Sequence, residues 1–381
     1  ATAPVLTERS RSDVPLTATH FRRIDQLRGF AALAVVVCHF AVSSEGAVAH
    51  PEDQPLLWLV QLLSWGYLGV PLFFVISGLC IHLPAAYAIA STGTFRRDWS
   101  RFFRRRFWRL YPPYITVLAA SALLLFVVRG ALPVGWRGAL AQALLVQVFH
   151  PATFDGFNPP AWTRAVEAQL YLAYPIALAL FMRFGAWRGL GSVLAVTMLY
   201  RTIMNFGVVP DAFGGLAWEF FPARWWEWCL GALVAAWAAG SISIPRWALT
   251  GWLGLALFIG AVRLEWETWR FGVYTFKEPL YGLAFALLVL FALDHERRRG
   301  AVATSRAGRY LAEIGVFSYS LYLVHRPIQL AFEPLVRWIV ASPAFEGFAL
   351  PISLALMAAT TPITQKRIVT LYDGQPIASK W

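Results

Sequence analysis

The chain has 381 residues, 58% of them hydrophobic and only 14% charged, far below the roughly 25% charged residues of soluble domains. Its net charge is +12, and the basic residues flank apolar runs instead of forming one solvated face, so nucleic acid is not an expected partner. Those runs are long and continuous, which excludes the short alternating segments of a membrane barrel and indicates an all-α, polytopic transmembrane helical bundle in a lipid bilayer.

Residues 1–22 read as a polar cytoplasmic arm without a signal-peptide core, so the first span is expected to remain in the mature protein. Span one runs from Ile24 to Ser43 and holds Arg28 and His39. Eleven helical steps make three turns plus about 20°, so the two share a face, roughly 16 Å apart along the axis. Either group is costly in lipid, so both are expected to face the protein interior or a water-filled cavity. The alternative is that Arg28 snorkels to the interface and His39 makes a core hydrogen bond. After a polar loop and an interfacial stretch, Leu56–Trp65, span two (Gly66–Leu83) contains Phe73-Phe74-Val75-Ile76-Ser77-Gly78.

The most basic loop follows, with Arg96, Arg97, Arg101, Arg104, Arg105, Arg106 and Arg109, and then span three, Leu110–Val128. The apolar stretch Leu140–Phe149 is far shorter than the ~20 residues of a crossing and reads as re-entrant or interfacial. The remaining spans are Trp162–Phe184, Arg188–Phe206, Trp218–Gly240, Arg246–Val262, Thr275–Leu293, Glu313–Phe332 and Phe345–Thr361. Residues 362–381 are a polar tail of no assigned role. With about ten crossings, the Arg96–Arg109 loop, the Arg183/Arg188 turn and the Arg297–Arg309 loop fall on one side. The positive-inside rule makes that side, and both termini, cytoplasmic. No internal repeat is evident, which counts against a transporter or flippase, the rival explanation for buried charge.

Cys38, Cys80 and Cys229 lie in apolar runs, with neither metal spacing nor a disulfide framework. Nucleophile elbow, P-loop and dinucleotide fingerprint are all missing. His39 lies about five residues from the outer end of span one, and Glu167 five residues into span four from the same side, roughly 7 Å deep. That matched depth makes them a candidate general-base pair. Glu167 has an alternative partner in Arg164, three residues back on its own helix. Arg28, Arg106 and Arg109, near the cytoplasmic ends of spans one and three, carry guanidinium forks suited to phosphates. A cytosolic donor with several phosphates, such as coenzyme A, would fit them, whereas topology and lipid headgroups explain most of the rest of the arginine cluster. His325, in Ser318-Tyr319-Ser320-Leu321-Tyr322-Leu323-Val324-His325, reads by itself as a core histidine, and the case for His82 as a site residue is weaker still.

From Arg23 to Phe332 the chain resembles the acyltransferase-3 family of integral membrane O-acyltransferases. The motifs carrying the resemblance are Asp25-Gln26-Leu27-Arg28-Gly29 through His39; Phe73 to Gly78; Arg106-Phe107-Trp108-Arg109-Leu110-Tyr111-Pro112; Trp162 to Leu172, with Glu167; and Ser318 to His325. The resemblance implies one transmembrane domain, 23–361, of a bacterial cytoplasmic membrane. It implies transfer of an acyl group, usually acetyl, from cytosolic acyl-CoA as co-substrate to a hydroxyl, with no bound cofactor or metal. Acceptors in the family are commonly glycans and in some members macrolides or other small metabolites. His39 would be the base, Arg28, Arg106 and Arg109 would contact the donor, and Ser77, Tyr322 and His325 are further candidates. Ala168 follows Glu167 where the family often has a second acid, and the chain has no room for the esterase-like domain fused to some members.

Overall fold

The computed structural model describes residues 21–44, 54–206, 218–266, 270–299 and 305–341. Among these residues every element is helical: α1 (Arg22–Ser44), α2 (Gln54–Ser64), α3 (Gly69–Thr92), α4 (Trp99–Arg129), α5 (Trp136–Ala143), α6 (Pro151–Phe154), α7 (Trp162–Asn205), α8 (Phe221–Ala238), α9 (Trp252–Glu265), α10 (Arg270–Arg299), α11 (Arg306–Val316) and α12 (Ser318–Ala341), joined in places by 3-10 turns. Among the described residues, five stretches are long and apolar enough to cross a membrane: Arg22–Ala41, Trp58–Thr92, Trp99–Arg129, Pro159–Asn205 and Thr275–Arg298. The expected last span, Phe345–Thr361, the polar tail and most of the N-terminal arm lie outside the described residues.

Three boundaries carry physical information. The long α7 is interrupted at Gly185, whose φ of 78° and ψ of 163° are non-helical; only glycine adopts that conformation without strain. The break separates the two spans read from the sequence on either side of it. The arginine-rich loop is largely helical instead, because α4 starts at Trp99 with the Asp98 carboxylate accepting from Arg101 N at 2.9 Å, an N-cap that satisfies an orphan donor. The span expected over Glu313–Phe332 is divided at Phe317 (φ −107°, ψ 19°). Its first part belongs to α11, an amphipathic helix that exposes Arg306, Arg309 and Glu313 and buries Ala312, Ile314 and Gly315. The short apolar stretch after residue 140 forms no helix long enough to cross. It ends α5, turns, and folds back, with Gln142 Oε1 accepting from Phe157 N at 3.1 Å and Tyr114 Oη donating to Gln142 O at 2.7 Å.

Two helix contacts set the frame, α3 on α8 and α1 on α11. Both are made backbone to backbone. A Cβ on Gly78 would overlap the Trp228 carbonyl and one on Gly231 the Val75 carbonyl; Gly29 stands in the same way to Leu311 and Gly315 to Asp25. In a bilayer, where lipid is as apolar as leucine, such close approach is what binds helices together. Arg22 N and Arg23 N donate to the Glu296 carboxylate at 3.0 and 3.2 Å, Arg297 reaches Ala238 O, and Ser241 Oγ donates to Ala86 O at 3.4 Å. The start of α1 and the ends of α3, α8 and α10 therefore meet on one face.

Replacing Gly78 or Gly231 by valine should cost about 2 kcal/mol or more through overpacking. Gly191→Ala, in a helical position where a new Cβ meets nothing within 4 Å, should be neutral or stabilising by about 0.5 kcal/mol. Thermal unfolding of the detergent-solubilised variants checks both signs.

Candidate active site

A cavity opens among α1, α3, α4, α7 and α12 and encloses about 820 Å³ when the open space at its mouth is counted. Arg28 reaches it from α1, Ser77 and Cys80 from α3, Arg106 and Arg109 from α4, Glu167 and Tyr171 from α7, and Tyr319 and Tyr322 from α12. Gly29 and Gly78 each follow a cavity residue, so the backbone contacts that fix α1 and α3 also fix where Arg28 and Ser77 point. Ser77 Oγ is held further by Trp228 Nε1, which donates to it at 3.3 Å from α8.

On α4, Phe102, Arg106 and Arg109 recur at helical spacing and share a face. Phe102 is buried, and the Arg106 guanidinium lies 5.5 Å from its ring and 5.9 Å from that of Tyr171. Of the seven arginines from Arg96 to Arg109, Arg106 and Arg109 are the two that line the cavity. The others lie on other faces, Arg97 folding over Phe95, Phe102 and Tyr174.

The wall nearest α12 is a clamp around Arg164. Its Nη1 lies 2.5 Å from Glu167 Oε2, and its guanidinium carbon stands 5.0 Å from the Tyr319 ring and 4.7 Å from the Tyr322 ring. Tyr171 donates to the other Glu167 oxygen. Both α12 tyrosines are tethered by their hydroxyls, Tyr319 to Leu110 O at 2.6 Å and Tyr322 to Pro160 O at 3.0 Å.

His39 and His325 lie beyond Tyr322, off the cavity wall. Their rings are 5.0 Å apart, and the His325 ring is 5.6 Å from that of Tyr322. His39 Nδ1 lies 2.9 Å from Val35 O and His325 Nδ1 2.7 Å from Tyr322 O. A carbonyl can only accept, so each Nδ1 carries a proton, and in the neutral ring Nε2 keeps its lone pair. Cys38 donates its thiol to Ser64 O at 2.8 Å. His82 is a core histidine, buried, with Nδ1 3.1 Å from the Tyr174 hydroxyl.

The structure thus gathers Arg28, Ser77, Arg106, Arg109, Glu167 and Tyr322 around one cavity and places His39 with His325 behind it. It does not join His39 to Glu167. Glu167 takes Arg164 and Tyr171 instead, because equal depth fixes position along a helix but not which neighbour it faces, and α1 packs chiefly on α11, the Trp65–Leu68 turn, α2 and α3.

The chain matches the family model of the acyltransferase domain that defines the acyltransferase-3 proteins over residues 21–362. It belongs to the acyltransferase-3 family. This acyltransferase is 27% identical to the acyltransferase MdmB of Streptomyces mycarofaciens over 78% of its own length and 76% of that protein. It is 23% identical to the peptidoglycan O-acetyltransferase OatA of Listeria monocytogenes, over 92% of its own length and 57% of that protein. With the O-acetyltransferase OatA of Staphylococcus aureus it shares 24% identity, over 80% of its own length and 50% of that protein. The chain therefore spans about half the length of these two O-acetyltransferases. No solved structure matches it significantly.

A buried ion-pair network escaped sequence reasoning. Arg201 on α7 bonds Glu278 and donates through Nε to Thr275 O at 3.0 Å, both on α10. Arg224 stands 3.2 Å from both Glu219 and Glu227 around the start of α8. Glu265 accepts from Tyr67, Lys277 and Tyr281 at 2.6 to 3.1 Å. The available signal was charge inside apolar helices, with Arg224 and Glu227 at pairing distance.

Glu167→Gln removes the counter-charge of a buried guanidinium and should destabilise the protein by about 3 kcal/mol. Tyr171→Phe removes one hydrogen bond from the same carboxylate and should cost about 1 kcal/mol. Thermal unfolding of the two variants ranks them; equal effects would mean that Arg164 does not depend on Glu167.

Proposed function

We propose that this acyltransferase moves an acetyl group from acetyl-CoA on the cytoplasmic side to a hydroxyl of a glycan acceptor. The observation that carries the reading is the composition of the cavity, which among the described residues gathers four arginines, Arg28, Arg106, Arg109 and Arg164, and one carboxylate, Glu167. Guanidinium forks gathered on one cavity suit phosphates, and a donor carrying several phosphates would engage them. The glycan acceptor draws support from the relatives named as O-acetyltransferases, of peptidoglycan in the Listeria case.

The orientation follows from charge. About ten crossings with both termini in the cytoplasm put the Arg96–Arg109 cluster and the Arg297–Arg309 region inside, in a bacterial cytoplasmic membrane. The donor enters at the arginines, and its thioester points past Tyr322. His39 Nε2 takes the proton of the acceptor hydroxyl, and the oxygen attacks the thioester carbonyl. The carbon–sulfur bond breaks, and the CoA thiolate leaves with the proton from His39, giving ester and free CoA. Glu167 serves this scheme by holding Arg164 in place. It is a positioning residue, not the partner of His39.

Transfer of label from radiolabelled acetyl-CoA to a bacterial membrane and cell-wall extract, with protein in nanodiscs, tests the reading. Wild type should label the glycan fraction, and His39→Ala should lose on the order of a hundredfold or more. Arg106→Gln and Arg109→Gln should each raise KM for acetyl-CoA on the order of tenfold, as the loss of a charged hydrogen bond predicts. Absence of transfer by folded wild type would remove acetyl-CoA as the donor, and equal labelling by His39→Ala would remove His39 as the base.

A further inference from the structure

The cavity has two ends, and α3 runs from one to the other. Val70, Phe73, Ser77 and Cys80 line it at intervals of three and four residues, so one face of the helix follows it. From Val70 to Ile81, which also lines it, the helix rises about 16 Å. The Arg106 guanidinium belongs to the Ile81 end. It lies 5.5 Å from the Phe102 ring, Phe102 is 5.6 Å from the Tyr174 ring, and the Tyr174 hydroxyl is 3.1 Å from Nδ1 of His82, the residue after Ile81. Phe73 stands nine residues before His82, about 13 Å away along the helix.

The Phe73 end is the one near the imidazoles. The Phe73 ring meets Tyr322 edge to face, with centroids 6.1 Å apart and planes at 82°. Tyr322 stands 5.6 Å from His325, and His325 stands 5.0 Å from His39. Phe73 also packs on the cluster that holds Val36 and Phe40, the first about one turn before His39 and the second next to it. Tyr322 cannot swing aside freely, being buried and held by its hydroxyl on Pro160 O at 3.0 Å. Arg164, whose guanidinium carbon lies 4.7 Å from the same ring, is paired with Glu167. Phe73 and Tyr322 both line the cavity, and neither imidazole does.

Resting on the acyl-CoA reading above, we infer that Phe73, backed by Tyr322, sets the size of the acyl group that this enzyme transfers. A donor whose phosphates sit at Arg106 directs its thioester along α3 toward Phe73. The methyl of an acetyl group lies against the ring. A longer chain meets the ring before its carbonyl carbon comes near His39, so small acyl groups are the substrate class. Phe73 touches the acyl chain and none of the reacting atoms, which makes it a specificity-determining residue. A closed apolar pocket rejects each extra methylene by roughly tenfold or more, and replacing the ring by a methyl group leaves more room than two methylenes fill.

The test is kcat/KM of the full chain in nanodiscs for acetyl-, propionyl-, butyryl- and hexanoyl-CoA, each labelled in its acyl group, with bacterial membrane and cell-wall extract as acceptor. Wild type should prefer acetyl- over butyryl-CoA on the order of a hundredfold. Phe73→Ala should shrink that ratio by at least about tenfold, and it should do so by raising the absolute kcat/KM for butyryl-CoA, a gain that misfolding would not produce. Phe73→Leu, which keeps the space partly filled, should move the ratio the same way by less, and it decides the matter if the alanine variant does not fold. Ile81→Ala, at the other end of the same helix face, should keep the wild-type ratio. Equal use of acetyl- and butyryl-CoA by wild type, a ratio unchanged by both Phe73 substitutions, or a fall in parallel for all four donors would overturn the inference while leaving acyl-CoA as the donor. An equal shift of the ratio by Ile81→Ala would also overturn it, since the limit would then not lie at Phe73. No transfer from any of the four by folded wild type and variants alike would overturn the acyl-CoA reading, and the inference with it.

Discussion

A guanidinium inside an apolar bundle has to be matched by a carboxylate, aromatic faces or a ligand, and the arrangement around Arg164 shows how much structure that demands. Its side chain is only 9% exposed. One carboxylate on its own helix and two tyrosine rings on α12 surround it, and each of those tyrosines is tied by its hydroxyl to a third element. Satisfying one charge thus docks α7, α12 and α4 and the residues before α7 against one another. Removing one partner of such a group is costly because the other charge stays buried, so the clamp positions the cavity wall as well as filling it.

The second constraint is steric. Gly78 and Gly231 bring α3 and α8 into backbone contact, and Gly29 and Gly315 do the same for α1 and α11. The sequence motifs place a chemical residue directly beside a glycine, Arg28 beside Gly29 and Ser77 beside Gly78. With no hydrophobic effect to draw helices together in lipid, packing geometry has to do so, and a motif that couples a packing glycine to a functional side chain locks position and chemistry together. Trp228 joins both roles, its carbonyl meeting Gly78 and its indole N–H meeting Ser77.

How much of this was legible depended on whether the signal was local. Arg28, Ser77, Arg106, Arg109 and Tyr322 could be selected from motifs, and the structure brings them to one cavity from four helices. The two legs of α7 could be read because Gly185 lies between two apolar runs. The absence of a long helix after residue 140 was legible from the length of that apolar stretch alone. The partner of Glu167 could not be fixed, because two residues at equal depth meet only if their helices face each other, and azimuth is a property of the assembled bundle. The break at Phe317 was hidden because no proline or glycine stands at the boundary itself; tertiary contact of α11 with α1 decides it.

The placement of Tyr322 relative to the two imidazoles bears on the proposed chemistry. If an acyl-CoA is the donor and His39 the base, a thioester left beside that base would be lost to hydrolysis, so base and donor-binding groups are best kept apart until the acceptor is in place. Arg28, Arg106, Arg109 and Arg164 line the cavity together with Tyr322, whereas neither imidazole does, and α12 is tied beside that cavity by two hydrogen bonds, Tyr322 to Pro160 and Asn158 to Leu323. Such bonds are worth about 1 kcal/mol each, small enough for a bound acceptor to replace them with its own.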